Sequence, residues 1–203
     1  MLGEGILDKP AIADNSTLVN FVDAGLAELL FDILGGPVYV APSVADPGEL
    51  PPFHSQPRAE ANRFLFFNAE KPDRVERYEW RLGFIKSHGV LWLQLQLSSH
   101  LYDRVLAYRN RFPKLKRRDG DVESLLLAEA HRLVLLCDDS ALCDAAHSLG
   151  ITVYRTCGLL LLAVKAGLLT CEDAAIFYNE TMVKKNRFFS RMRILVGTTC
   201  KCV

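Results

Sequence analysis

Leu133 to Cys137 is an unbroken apolar run that stops on two aspartates, Asp138 and Asp139. A continuous apolar run of strand length suits a β-strand buried on both faces, and such strands belong to parallel sheets covered by helices. The flanks agree. Asp121 to Arg132 reads as helix, with Leu125, Leu126, Ala128 and Ala130 as core candidates. Ser140 to Leu149 reads as helix closed by Gly150, Ile151 to Tyr154 as strand, and Leu159 to Ala166 as helix closed by Gly167. Thr170-Cys171-Glu172-Asp173 has the form of a capping box that opens a further helix.

The same alternation occupies the first forty or so residues. Ala11-Ile12-Ala13 is a short buried-strand candidate, followed by the helix-starting cluster Asp14-Asn15-Ser16-Thr17. Leu18, Val19, Phe21 and Val22 keep helical spacing, Leu26, Leu29, Leu30 and Ile33 continue it, and Gly35-Gly36-Pro37 stops it. Val38-Tyr39-Val40 is the next strand. Strands alternating with helices predict an α/β chain: a three-layer α/β/α fold with a mostly parallel sheet of four to five strands. At 203 residues, half of them hydrophobic, one domain over 1–203 is expected. The middle is less regular. Prolines punctuate 42–57, residues 59–87 mix aromatics with charge and suggest helix, Val90 to Leu97 alternates like a half-buried strand, and His100 to Phe112 reads as helix. Residues 51–100 are the stretch that this pattern leaves least assigned.

Charge and cysteine usage exclude more than they identify. The 24 basic and 24 acidic residues cancel, so net charge favours no polyanionic partner. Distribution is more telling: Arg109, Arg111, Lys114, Lys116, Arg117 and Arg118 crowd one segment that suits a phosphate-contacting rim, or equally a solvated face. The six cysteines show no metal-ligand spacing. Cys137 and Cys143 sit in apolar patterns as small hydrophobes, and Cys200-Lys201-Cys202 is expected to fray. No basic-then-apolar leader is visible, and the apolar run Leu159–Val164 is too short to span a bilayer. A reduced, cytoplasmic protein without membrane attachment is the expectation.

No dinucleotide turn, P-loop or nucleophile elbow is present, and the histidines have no metal spacing. His131 and His147 are expected at helix ends. What remains is a series of carboxylates at strand ends, where open parallel sheets build their sites. Asp14 follows the first strand. Asp46 and Glu49 follow the second. Asp121 and Glu123 open the helix before Leu133, and Glu123 shares a face with Leu126, Leu127 and Ala130. Asp138 and Asp139 follow the apolar run. Each acid also has a plain role: Asp14, Asp121 and Asp139 as helix caps, Glu123 as a dipole partner, Glu49 as a solvated loop residue. Gathered at one sheet edge, they would repel one another unless a cation lay between them, and an all-oxygen set selects Mg²⁺ or Mn²⁺.

In AIADNSTLVNF, VYVAPSVADPGEL, GDVESLLLAEA, LLCDD and AAHSLGITVYRTCGLLLLAVKAGLL the chain resembles the PIN-domain family, the metal-dependent ribonuclease fold that includes many prokaryotic toxin–antitoxin nucleases. The resemblance covers 11 to about 50 and 120 to about 185. It implies a Mg²⁺- or Mn²⁺-dependent endoribonuclease that hydrolyses single-stranded RNA with a metal-activated water. The implied acids are Asp14, Glu49, Glu123 and Asp139, with Asp14, Glu123 and Asp139 on the metal. Ser16 is a supporting hydroxyl, and Asp46, Asp121 and Asp138 are the rivals. It also implies RNA as partner, with an inhibitory antitoxin-like protein and a homodimer as further partners. Glutamate at 123 and Arg155 before Thr156, where relatives often have glycine, are departures. The alternative is a PIN-like scaffold that binds RNA or a protein without cutting.

Overall fold

The computed structural model describes residues 6, 7, 9–35, 38–41, 91–92, 99–115, 119–185, 192–197 and 200–202. Asp46, Glu49, Lys116, Arg117, Arg118 and nearly all of residues 51–100, which the family resemblance implies are an insertion within the domain, lie outside the described residues.

Among the described residues, five short strands form one sheet. β1 (Ala11–Ala13), β2 (Val38–Val40), β3 (Leu91–Trp92), β4 (Val134–Leu136) and β5 (Val153–Tyr154) are ordered β3-β2-β1-β4-β5 and pair in parallel throughout. All three residues of β1, two of them alanines, are fully buried, as expected for a central strand covered on both faces. β1 leads outward to β2 on one side, while β4 leads to β5 on the other. The chain therefore reverses its direction of travel between β1 and β4, and a crevice opens beyond the carboxyl ends of strands at such a point.

Helices cover the sheet. α1 (Asn15–Asp23) and α2 (Ala27–Leu34) follow β1, and α2 stops where Gly35 takes a left-handed conformation, φ 63°. α3 (Ser99–Arg111) packs on α4 (Asp119–His131), α5 (Ser140–Ser148) follows β4, and α6 (Thr156–Lys165) follows β5. α6 lies against α1 and α2, whereas α4 packs with α5 and with β1 and β4. Leu18, Phe21, Leu30, Ile33, Leu125, Leu126, Leu142, Leu159 and Leu160 are buried contributions of these helices to a single core. Arg104 pairs with Glu129 at 2.9 Å, and the Tyr108 hydroxyl also donates to Glu129, which ties α3 to α4.

The capping box at Thr170 is formed. Its hydroxyl accepts from the Asp173 N–H at 3.1 Å and donates to the Asp173 carboxylate at 2.7 Å, opening α7 (Cys171–Ala175). A π-helical stretch, Ile176–Lys185, continues it. His131 and His147 are exposed in the last turns of α4 and α5, as read from the sequence. Of the expected Val90–Leu97 strand, the described part is Leu91–Trp92.

The cysteines differ from expectation. Cys157 is disulfide-bonded to Cys202, and Cys171 to Cys200. The tail is not frayed: β6 (Ile194–Leu195) and β7 (Lys201–Cys202) make an antiparallel hairpin whose cysteines are fixed to α6 and α7. The Asn179 side chain adds to the anchorage. It accepts from the Ile194 N–H at 3.1 Å and donates to the Ile194 carbonyl at 2.9 Å. Spacing along the chain does not reveal pairings 45 and 29 residues apart. Cys137 and Cys143 are buried free thiols, matching their apolar patterns. Among the described residues, no helix is long and apolar enough to cross a membrane.

Candidate functional site

Strand register brings three positions into one row. Ala13 pairs with Leu136, and Leu136 pairs with Tyr154. One step further along lie Asp14, Cys137 and Arg155. The row is held by the Asp14 N–H donating to the Leu136 carbonyl at 2.8 Å and the Cys137 N–H donating to the Tyr154 carbonyl at 3.1 Å. Asp138 and Asp139 come next after Cys137. The carboxyl edge at the β1/β4 reversal is thus lined by the acids expected from β1 and β4.

Asp14 caps α1. One carboxylate oxygen accepts from the Ser16 N–H at 3.3 Å and from the Ser16 hydroxyl at 2.8 Å. The residue is only 5% exposed, and burial pushes its pKa above the ordinary value. The Ser16 hydrogen bonds oppose that rise, and the negative charge of Asp139 adds to it. Asp14 and Asp139 therefore stand near enough to repel. Ser16, expected as a supporting hydroxyl, holds the Asp14 side chain directly.

Asp138 and Asp139 take different structural roles. Asp139 caps α5, the plain role read for it from the sequence, by accepting from the Leu142 N–H at 3.0 Å. Asp138 ties three elements together. One of its oxygens accepts from the Thr156 N–H at 3.0 Å, and the other accepts from the Thr156 hydroxyl and from the Asn20 amide at 3.2 Å. Thr17 adds a longer contact to that oxygen at 3.5 Å, and Asn20 also donates to the Thr156 hydroxyl at 3.3 Å. Thr17, Asn20 and Thr156 are buried polar residues, so the Asp138 carboxylate is enclosed although part of the residue reaches solvent. Burial raises its pKa to about 6; the Thr156 hydrogen bonds resist, Asp14 pushes it further up, and Arg155 pulls it back. Asn20 and Thr156 were not singled out as site residues. A buried asparagine inside the apolar helix Leu18–Val22 was the available signal.

Glu123 is 1% exposed and Asp121 5%. Helix α4 begins at Asp119, so Asp121 lies inside its first turn and is not the N-cap expected for it. The helical-face argument for Glu123 also needs correction. Every residue from Asp121 to Ala128 is buried while Ala130 is exposed, so this part of α4 is enclosed on all sides. Buried carboxylates call for hydrogen bonds or a cation.

Among the described residues, no group of three or more His, Cys, Asp or Glu side chains is disposed to hold a metal ion. The donor chemistry nonetheless fits a hard divalent cation: carboxylate oxygens, two of the acids, Asp14 and Glu123, being buried. Of the basic rim, Arg109 and Arg111 form the last turn of α3, where Arg111 lies 5.2 Å from the centre of the Phe112 ring, and Lys114 is exposed in the 3-10 turn that follows.

The raised pKa values fix a direction for stability. A carboxylate whose folded pKa exceeds its unfolded one stabilises the fold below the unfolded value, and that contribution is lost as pH rises through the folded value. For Asp138 the window runs from 3.8 to about 6. The loss is about 3 kcal/mol by linkage, and Asp14 acts in the same direction. In chelator, the thermal midpoint should be higher at pH 5 than at pH 7.5. A midpoint that rises steadily across that range would contradict these carboxylate environments.

A family profile described as a PIN domain (DUF3368) matches residues 85–195, more than half of the chain. No curated protein and no solved structure is matched.

Proposed function

Because the chain belongs to the PIN-domain family, a nuclease-like fold, we propose that it is a Mg²⁺- or Mn²⁺-dependent endoribonuclease acting on single-stranded RNA. The observation that supports the proposal is the strand register, by which Asp14 follows β1 at the same edge where Asp138 and Asp139 follow β4. Two carboxylates in that relation are eased by a cation between them.

In this reading Asp14 and Asp139 hold the cation, and Glu123 holds it or orients its water. Glu49 completes the negative charge from the loop after β2, with Asp46 as its rival. Ser16 fixes the rotamer of Asp14 by donating from its N–H and its hydroxyl to one carboxylate oxygen. Asp138 keeps β4, α1 and α6 in register, so that the strand ends stay aligned. When bound, the divalent cation neutralises a non-bridging phosphate oxygen and makes a water more acidic. No side-chain nucleophile is needed. Arg109, Arg111, Lys114, Lys116, Arg117 and Arg118 contact the phosphate backbone without reading bases.

A labelled single-stranded RNA pool should be cut in Mn²⁺ and spared in chelator. Cutting that survives chelation, or no cutting in any divalent cation, would overturn the proposal. RNA binding without cutting would favour the scaffold reading.

A further inference from the structure

Arg155 is the charged position of the strand-end row whose chemistry the acidic site does not use. We propose that Arg155 binds a non-bridging phosphate oxygen of the RNA beside the Asp14 and Asp139 carboxylates. The proposal deepens the ribonuclease reading and rests on it for the identity of the ligand.

Placement comes from the backbone. Arg155 is the first residue beyond β5 and stands in register with Cys137 and Asp14. Neighbouring strands are about 4.8 Å apart, which puts Arg155 on the order of 10 Å from Asp14 at the backbone. That is within reach of the long arginine side chain and one phosphodiester. The position follows from the fold: no residue beyond β5 can avoid this edge.

The surroundings of the guanidinium leave its donors available. Among the described residues, its partners are two sulfurs: Met192, whose sulfur lies 4.0 Å from Nη1, and the Cys143 thiol. Sulfur is a weak acceptor, and a guanidinium carries five N–H donors. The nearby carboxylate it acts on, Asp138, already accepts from Thr156 and Asn20.

The simpler role for Arg155 is counter-charge to Asp138. Against it, both oxygens of Asp138 already accept hydrogen bonds from Thr156 and Asn20. Nor does Arg155 cap α6 with its side chain. A half-buried guanidinium with soft partners, next to acids that carry a cation, matches a phosphate diester. A phosphate diester has two non-bridging oxygens, so one can accept from the guanidinium while the other is left for the cation.

The test uses the full chain. Binding of a fluorescent single-stranded RNA is measured by anisotropy in the Asp14→Asn background, so that the RNA stays intact, across a range of salt. Arg155→Gln should weaken binding about tenfold and lower the salt slope by about one. Arg155→Lys should recover the slope but only part of the affinity, because the charge returns without the fork. Lys165→Ala, an exposed change at the far end of α6, serves as control and should alter neither quantity. In the otherwise native enzyme, Arg155→Gln should raise KM more than it lowers kcat. Unchanged affinity and slope in Arg155→Gln would overturn the assignment. RNA that binds with this contrast but is never cut overturns the ribonuclease reading and leaves Arg155 in place. RNA that is cut without the contrast does the reverse. A chain that neither binds nor cuts RNA overturns both.

Discussion

Asp14→Asn is expected to lower Mn²⁺-dependent cleavage of RNA by about a thousandfold or more while leaving the fold at least as stable. The activity term follows from removing a charged donor to a cation worth several kcal/mol to the reaction, each 1.4 kcal/mol being about tenfold in rate. The stability term follows from burial. Asp14 is 5% exposed and its carboxylate is disfavoured by desolvation and by Asp139. An asparagine is nearly the same shape, its carbonyl can still accept from Ser16, and it carries no charge to desolvate. The metal-free thermal midpoint at pH 7.5 should therefore be unchanged or higher. Cleavage rate and melting temperature, measured on one preparation, check both halves.

Asp138→Ala is expected to give the opposite pattern: a fold weakened by about 3 kcal/mol. Two terms compete. The substitution removes the carboxylate that accepts from the Thr156 N–H, the Thr156 hydroxyl and the Asn20 amide. Leaving such donors without a partner costs about 1–3 kcal/mol apiece, so roughly 6 kcal/mol in total. Relief of the burial penalty at neutral pH returns about 3 kcal/mol, the linkage value of a pKa raised from 3.8 to about 6. The hydrogen bonds win. For a chain of this size the midpoint should fall by about 6–12 °C, readable by calorimetry or circular dichroism. A variant as stable as the parent would show that the three donors find other acceptors and that the Asp138 clamp is dispensable. The two substitutions together separate an acid kept for its ligand from an acid kept for its neighbours.

The division between those acids marks where sequence reading reaches its limit. The strands were legible because each is short, apolar and followed at once by a polar helix start: Ala11–Ala13 before Asp14, Leu133–Cys137 before Asp138. Parallel pairing and the edge location of the acids then follow from chain connectivity. Which of two adjacent aspartates enters the crevice does not. Past the end of a strand the alternation of faces lapses, and the direction of Asp138 is set by Asn20 and Thr156, 118 and 18 residues distant in sequence. Asp139 was read both as a helix cap and as a metal ligand, and it caps α5. Capping one N–H does not by itself exclude a cation on the same carboxylate.

Glu123 illustrates a different limit. Its burial was anticipated from helical spacing, but α4 is enclosed on every side over its first turns, so spacing alone could not orient the side chain. The disulfides illustrate a third. Four cysteines without ligand spacing were read as reduced, whereas the β6–β7 hairpin carries two of them onto α6 and α7. A pairing of that kind depends on where a distant hairpin docks, which local pattern does not encode. Glu49 and Asp46 stay as read from the sequence, as do Lys116, Arg117 and Arg118.

Anomalous diffraction from crystals of the protein soaked in Mn²⁺ would show whether the carboxylates at the β1/β4 reversal share a divalent cation, as proposed. A manganese peak is expected bonded to oxygens of Asp14 and Asp139, with Glu123 bonded to it or to its water, and no such peak in Asp14→Asn. A native crystal soaked under the same conditions with no manganese between Asp14 and Asp139 would contradict it.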